Sequence, residues 1–147
     1  MTDVDAGRIR RSAMGLLARR EYSFSELKSR LETRFPDLTG CIIGEVERLK
    51  DEGLQSDQRL CESQIRSRVN RGQGPIRIRS ELRQKGISEA LIDQSLADID
   101  VDWFEVIHRV KAVKYGDQPA IDMKQKGKIA RFLQQRGFTF EQINEVI

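Results

Sequence analysis

The sequence is short of almost everything that surface chemistry requires. Histidine occurs once, at His108, and cysteine twice, at Cys41 and Cys61, which stand twenty positions apart and not in a C-x-x-C arrangement. Disulfide frameworks and zinc sites need more ligands at closer spacing, so neither is supported, and two reduced, mostly buried thiols are expected. Aromatic residues make up 6% of the chain, which leaves few platforms for stacking single-stranded bases. No apolar run approaches the roughly 18 residues of a membrane span. The stretch MTDVDAGRIRRSAMG lacks the apolar core of a secretory signal, so a cytoplasmic location is expected. There is no G-x-x-x-x-G-K-[ST] loop and no G-x-G-x-x-G after a strand, so nucleotide hydrolysis and dinucleotide binding have no support. Nothing near His108 forms a triad or ligand cluster, and it is expected to be structural or surface-exposed. Asp98, Asp100 and Asp102 gather where one helix ends and another begins, a place where capping and the helix dipole favour acids; a Mg²⁺ site is the less favoured alternative. Catalysis therefore has no handle, and neither a cofactor nor a metal is expected.

Charge is what the chain has in abundance. Of its 147 residues 33% are charged against 38% hydrophobic, too apolar for disorder and too charged for a membrane. The net charge of +3 hides an uneven distribution: residues 64–86 hold seven bases and one acid, 87–105 six acids and no base, and 106–136 eight bases and two acids. Such blocks steer a protein toward a polyanion or an acidic surface, or else form solvated helix faces.

Apolar residues recur at helical spacing, with no strand-like alternation of four or more, so an all-α fold is expected. The first helix is expected from about Gly7 to Arg20. Ser23 and Glu26 form a capping box before Leu27 and Leu31. A third helix starts near Thr39, with Ile42, Val46 and Leu49 in line, and Gly53 is placed as its left-handed cap. A fourth starts at Ser56 or Asp57, carries Cys61, Ile65 and Val69, and stops at Gly72. Pro75 opens the fifth at a position where its missing N–H costs nothing; Ile78 and Leu82 face inward, and Gly86 ends it. The sixth opens at Ser88 and turns Ile92, Leu96 and Ile99 to the core. The seventh opens at Asp102, with Glu105 as capping-box partner and Val106, Val110 and Val113 in line, and ends at Gly116 and Pro119. The eighth runs from about Met123 to Arg136, and the last opens at Thr139 with Gln142 three residues on.

The chain also repeats itself. At an offset of 51 residues, Ile78, Leu82, Lys85, Gly86, Ile87, Ser88 and Ile92 fall on Ile129, Leu133, Arg136, Gly137, Phe138, Thr139 and Ile143, and Leu27, Leu31 and Arg34 fall on Ile78, Leu82 and Lys85. Three helices of about fifty residues make a small core. Three tandem three-helix modules, 1–55, 56–100 and 101–147, are therefore expected to stack into an elongated curved array with a surface suited to a macromolecule.

The segment GQGPIRIRSELRQKGI, residues 72–87, resembles the signature of the RecX regulatory family, in which a G-x-G-P-x-R-I-R-x-E-L-x-x-K-G-I run recurs. GLQSDQRLCE, residues 53–62, is similar to the family's G-x-L-x-D-x-R-F-A element, although Leu60 and Cys61 replace its Phe and Ala. KIARFLQQRGF, residues 128–138, resembles the third-module element, and Ser23 to Leu27 fit the first. On this resemblance Gly53, Asp57, Arg59, Gly72, Gly74, Pro75, Gly86 and Gly137 are family-motif residues with structural roles. It implies a cytoplasmic, monomeric modulator that lies in the groove of the RecA nucleoprotein filament. Such a protein would suppress ATPase, strand exchange and co-protease activity, tempering recombinational repair and the SOS response.

Arginine's planar fork bonds both oxygens of a carboxylate or phosphate. Arg66, Arg68, Arg71, Arg77, Arg79, Arg83 and Lys85 form one candidate surface toward RecA or DNA, and Lys124, Lys126, Lys128, Arg131 and Arg136 a second. Arg79 and Arg83 are expected to project from the middle module, and their charge reversal to weaken filament inhibition. Arg77 and Lys85 are alternatively placed to bond carbonyls at a helix end. For any one of these side chains a solvated helix face is an equal explanation; the group points to binding. A DNA-binding module independent of RecA, and a plain scaffold, are the competing readings.

Overall fold

Local signals set the helix starts. In the computed structural model, which describes residues 3–147, Ser23, Ser56, Ser88, Asp102, Asp122 and Thr139 each accept a backbone N–H three residues on, so each begins a helix where the sequence offers a short polar acceptor. Among the described residues the result is nine helices and no strand: α1 (Asp3–Leu17), α2 (Phe24–Arg34), α3 (Thr39–Asp51), α4 (Asp57–Asn70), α5 (Pro75–Gln84), α6 (Glu89–Asp98), α7 (Trp103–Tyr115), α8 (Met123–Gln135) and α9 (Phe140–Asn144). Both Ser23–Glu26 and Thr139–Gln142 close reciprocal capping boxes.

Burial divides the chain into three cores, each built by three consecutive helices. Ile9, Leu27, Leu31, Ile42, Val46 and Leu49 fill the first; Leu60, Cys61, Ile65, Ile78, Leu82 and Ile92 the second; Val106, Ile107, Ile129, Leu133, Phe138 and Ile143 the third. The cysteines are free and buried. Val69 and Trp103 pack against both the second and the third core, so apolar contact continues across that boundary.

Several expectations need correction. The first helix is Asp3–Leu17, earlier than Gly7 to Arg20, and residues 18–20 form a turn. Val113 is 86% exposed and borders an open groove, because in the last turn of α7 it is Tyr115, edge-on to Phe132 at 5.7 Å, that meets α8. Asp102 caps α7 through the Glu105 amide, but the Glu105 side chain pairs with Arg109 at 3.9 Å, so the box is not closed.

The repeat offset explains how the units join. The turn between α5 and α6 meets the head of α2, and 51 residues on the turn between α8 and α9 meets the head of α5. At the first joint the Ser23 hydroxyl donates to the Lys85 carbonyl at 2.5 Å, and the Phe24 amide donates to Asp57 Oδ1 at 2.8 Å. At the second, the Gly74 amide donates to the Arg136 carbonyl at 2.7 Å and the Ile76 amide to the Gly137 carbonyl at 2.9 Å. Pro75 stands where Phe24 stands in the first joint, and having no N–H it needs no counterpart to Asp57.

Candidate partner-binding surface

The motif residues cluster at these joints. Arg59 pairs with Glu21 and donates to the Gly53 and Leu54 carbonyls at 3.0 and 3.2 Å, tying the α3–α4 turn to the segment before α2. Asp57 receives Gln55 Nε2 at 2.9 Å as well as the Phe24 amide. A Cβ on Gly74 would lie 2.4 Å from the Gly137 carbonyl carbon, and one on Gly137 2.4 Å from Arg77 Cβ; Gly137 also holds φ of 95°. Only glycine lets these two backbones touch. Gly72 lies against Val110 and Gly86 against Ser25 in the same manner.

The basic residues divide into those already occupied and those open to a partner. Arg79 pairs with Glu89 and Asp93, and Arg83 with Glu89, so they brace α5 against α6 instead of projecting freely. Mutual hydrogen bonding raises the Arg83 pKa and lowers that of Glu89. Part of the acidic block therefore balances charge inside its own unit. Arg77 and Lys85 bond carboxylates, Glu81 at 3.4 Å and Glu26 at 3.2 Å, and not helix-end carbonyls. Arg68 reaches Glu81 at 2.9 Å. Burial pushes the Glu26 carboxyl up, but the Ser23 amide, Lys85 and Arg20 together hold it below its ordinary value.

Arg66 and Arg71 are exposed and make no side-chain ion pair among the described residues. Lys124, Lys126, Lys128 and Arg131 are likewise exposed along α8, with Lys124, Lys128 and Arg131 four and three apart on one face. Arg136 is set apart from them: its guanidinium stacks 5.3 Å from the Phe132 centroid and donates to the Arg71 carbonyl at 3.1 Å.

Two grooves organise this surface. One, of about 280 Å³, is lined by Arg20, Ser63, Ser67, Arg68, Arg71 and Lys85 at the first joint. The other, of about 510 Å³, is lined by Arg71, Arg109, Val110, Val113, Lys114 and Arg136 at the second. Arg71 lines both, so one basic strip runs past the C-terminal end of α4 from joint to joint. The strip unites four of the candidates, Arg68, Arg71, Lys85 and Arg136, and leaves Arg79, Arg83 and the α8 lysines outside. Arg20, Arg109 and Lys114 belong to it but carried no sequence signal beyond their charge. His108 is exposed, and among the described residues no cluster of His, Cys, Asp and Glu could hold a metal.

Comparison with known proteins agrees with this architecture. The family model for the second three-helix domain of RecX matches residues 56–96, and that for the third matches residues 100–147. The chain is 42% identical over 135 residues to regulatory protein RecX of Halorhodospira halophila, covering 92% of this chain and 83% of that protein. It is 43% identical over 140 residues to regulatory protein RecX of Pseudomonas entomophila, covering 95% and 89%. The crystal structure of RecX from Lactobacillus salivarius superposes with a TM-score of 0.79 over 99% of this chain and 96% of that one at 21% identity, and a second RecX crystal structure with 0.81 over 96% and 72% at 20%. At such identity the structures speak for the fold, and the sequence matches for the family. The chain belongs to the RecX family of regulatory proteins, a family of regulators and not of enzymes.

Proposed function

We propose that this chain, as a cytoplasmic monomer of three units (1–55, 56–100 and 101–147), binds the RecA nucleoprotein filament and restrains its ATPase, strand exchange and co-protease activity, so tempering DNA repair and the SOS response. The observation that carries the reading is the basic strip. It is continuous across two joints, rich in basic side chains, and open, which suits an extended acidic partner better than a small molecule. Arg71, unpaired and central to both grooves, is the leading contact, with Lys85, Arg68 and Arg136 beside it. Arg79 and Arg83 are secondary, since reaching a partner requires giving up Glu89 and Asp93. Arg66, Arg77 and the α8 residues Lys124, Lys126, Lys128 and Arg131 extend the surface toward the filament's DNA.

The test is RecA ATPase on single-stranded DNA, titrated with substoichiometric amounts of this protein. Hydrolysis is expected to slow, and Arg71→Glu to relieve the slowing while helicity is retained. Unchanged hydrolysis, together with tight binding of naked DNA at physiological salt, would favour a DNA-binding module that acts without RecA.

A further inference from the structure

Half of the arginines are paired within the chain: among the described residues Arg10, Arg20, Arg48, Arg59, Arg68, Arg77, Arg79, Arg83 and Arg109 lie within ion-pair distance of a carboxylate. Three that are not, Arg11, Arg19 and Arg34, line a single groove of about 500 Å³ in the first unit, where Arg8, Ser12 and Gly15 complete the wall. Arg8 approaches one carboxylate, Asp5, at 3.9 Å. This groove is separate from the strip at the joints and outside both matched three-helix domains.

We propose that the groove between α1 and α2 is a phosphodiester-binding site that holds the backbone of a nucleic-acid strand without reading its bases. The helix supplies the spacing. Arg8, Arg11, Ser12 and Gly15 recur at three and four residues and share one face of α1, while Arg19 follows in the turn after it and Arg34 comes from the last turn of α2 on the other side. A Cβ on Gly15 would meet nothing within 4 Å, so the wall there is open and a strand can come close to the helix. Several guanidinium forks and a hydroxyl converging on one trough match a chain of phosphates, each offering more than one acceptor oxygen.

The floor of the groove sets the kind of ligand. Phe35 is 8% exposed and has the Arg8 and Arg34 guanidinium groups 5.3 and 5.7 Å from its ring centroid. The ring orients the arginines and is not available for base stacking. It offers no apolar pocket to anchor a peptide side chain either, which disfavours an acidic peptide. The contacts are therefore to phosphate, which positions a strand and carries no sequence information.

The site deepens the proposed function, resting on it for its setting, but its test contains no RecA and so fails separately. Anisotropy of a fluorescein-labelled oligothymidylate is measured against potassium chloride for the full chain and for the triple variant Arg11→Gln, Arg19→Gln, Arg34→Gln. Each phosphate contact contributes about 0.7 to the slope of log K against log salt for single strands, so the slope should shrink by about 2. The double variant Arg11→Gln, Arg19→Gln leaves the Phe35 ring packed and should lose about 1.4, which keeps the test readable if the triple variant melts. Oligoadenylate should behave as oligothymidylate does. An unchanged slope in the double variant would overturn the proposal, as would strong base preference or a poly-glutamate peptide whose binding, instead of the oligonucleotide's, is lost in the variant.

Discussion

At Gly74 one methyl group decides whether two units can meet. Alanine there would set a Cβ 2.4 Å from backbone atoms of Gly137, and because backbone cannot swing aside as a side chain does, Gly74→Ala should cost about 1–3 kcal/mol in urea unfolding. Gly127 is the contrast. It lies inside α8 with only the flexible tip of Arg131 near, at 3.3 Å, so Gly127→Ala should stabilise by up to about 1 kcal/mol through helix propensity alone. Burial pushes the Cys61 thiol pKa up, and the side chain is fully covered; a thiol reagent should label it only at the rate of unfolding. The sequence marked Gly74 as a motif residue with a structural role. Its reason was not legible, since the backbone it touches lies in the next unit.

The helices themselves were legible almost throughout, because polar caps and apolar spacing act over a few residues. The end of α7 is where this failed. Lys111 counts as one of a basic block in the sequence, yet it is 4% exposed and donates to the Gly116 and Gln118 carbonyls at 3.1 and 2.8 Å. It closes the helix that Gly116 terminates, whereas Val113, which the apolar pattern placed inside, faces water. Lys111→Met should leave two carbonyls without a donor and cost about 1–3 kcal/mol, measured as a lower unfolding midpoint. The arginines of α5 show the same limit. Spacing put Arg79 and Arg83 on an outward face, but it could not say that Glu89 and Asp93 of α6 would be waiting there.

Over the whole molecule the two joints differ in chemistry while sharing a position in the repeat. The second is bridged by the apolar Val69 and Trp103; the first depends on hydrogen bonds and on the Lys85–Glu26 pair. Glu26 has its folded pKa lowered from 4.5. The stability it contributes is present above that unfolded value and is lost as pH falls through the lower folded one. Acidification below about pH 4.5 should thus release amide protection at Phe24 before that at Gly74 and Ile76, as hydrogen exchange would show. The three-unit plan could be read from the repeat. The basic strip could not, because its members come from α4, α7 and the turns after α1, α4, α5 and α8 and meet only once the units are joined.

Both joints use a main-chain carbonyl, at Lys85 and at Arg136, received by the head of a helix in the preceding unit. A movement repeated with the same hinge becomes a screw, and a screw can lie along another screw without either being deformed. At the second joint, where the contact is backbone to backbone, side chains on the outer faces are free to drift in evolution while the pitch is kept.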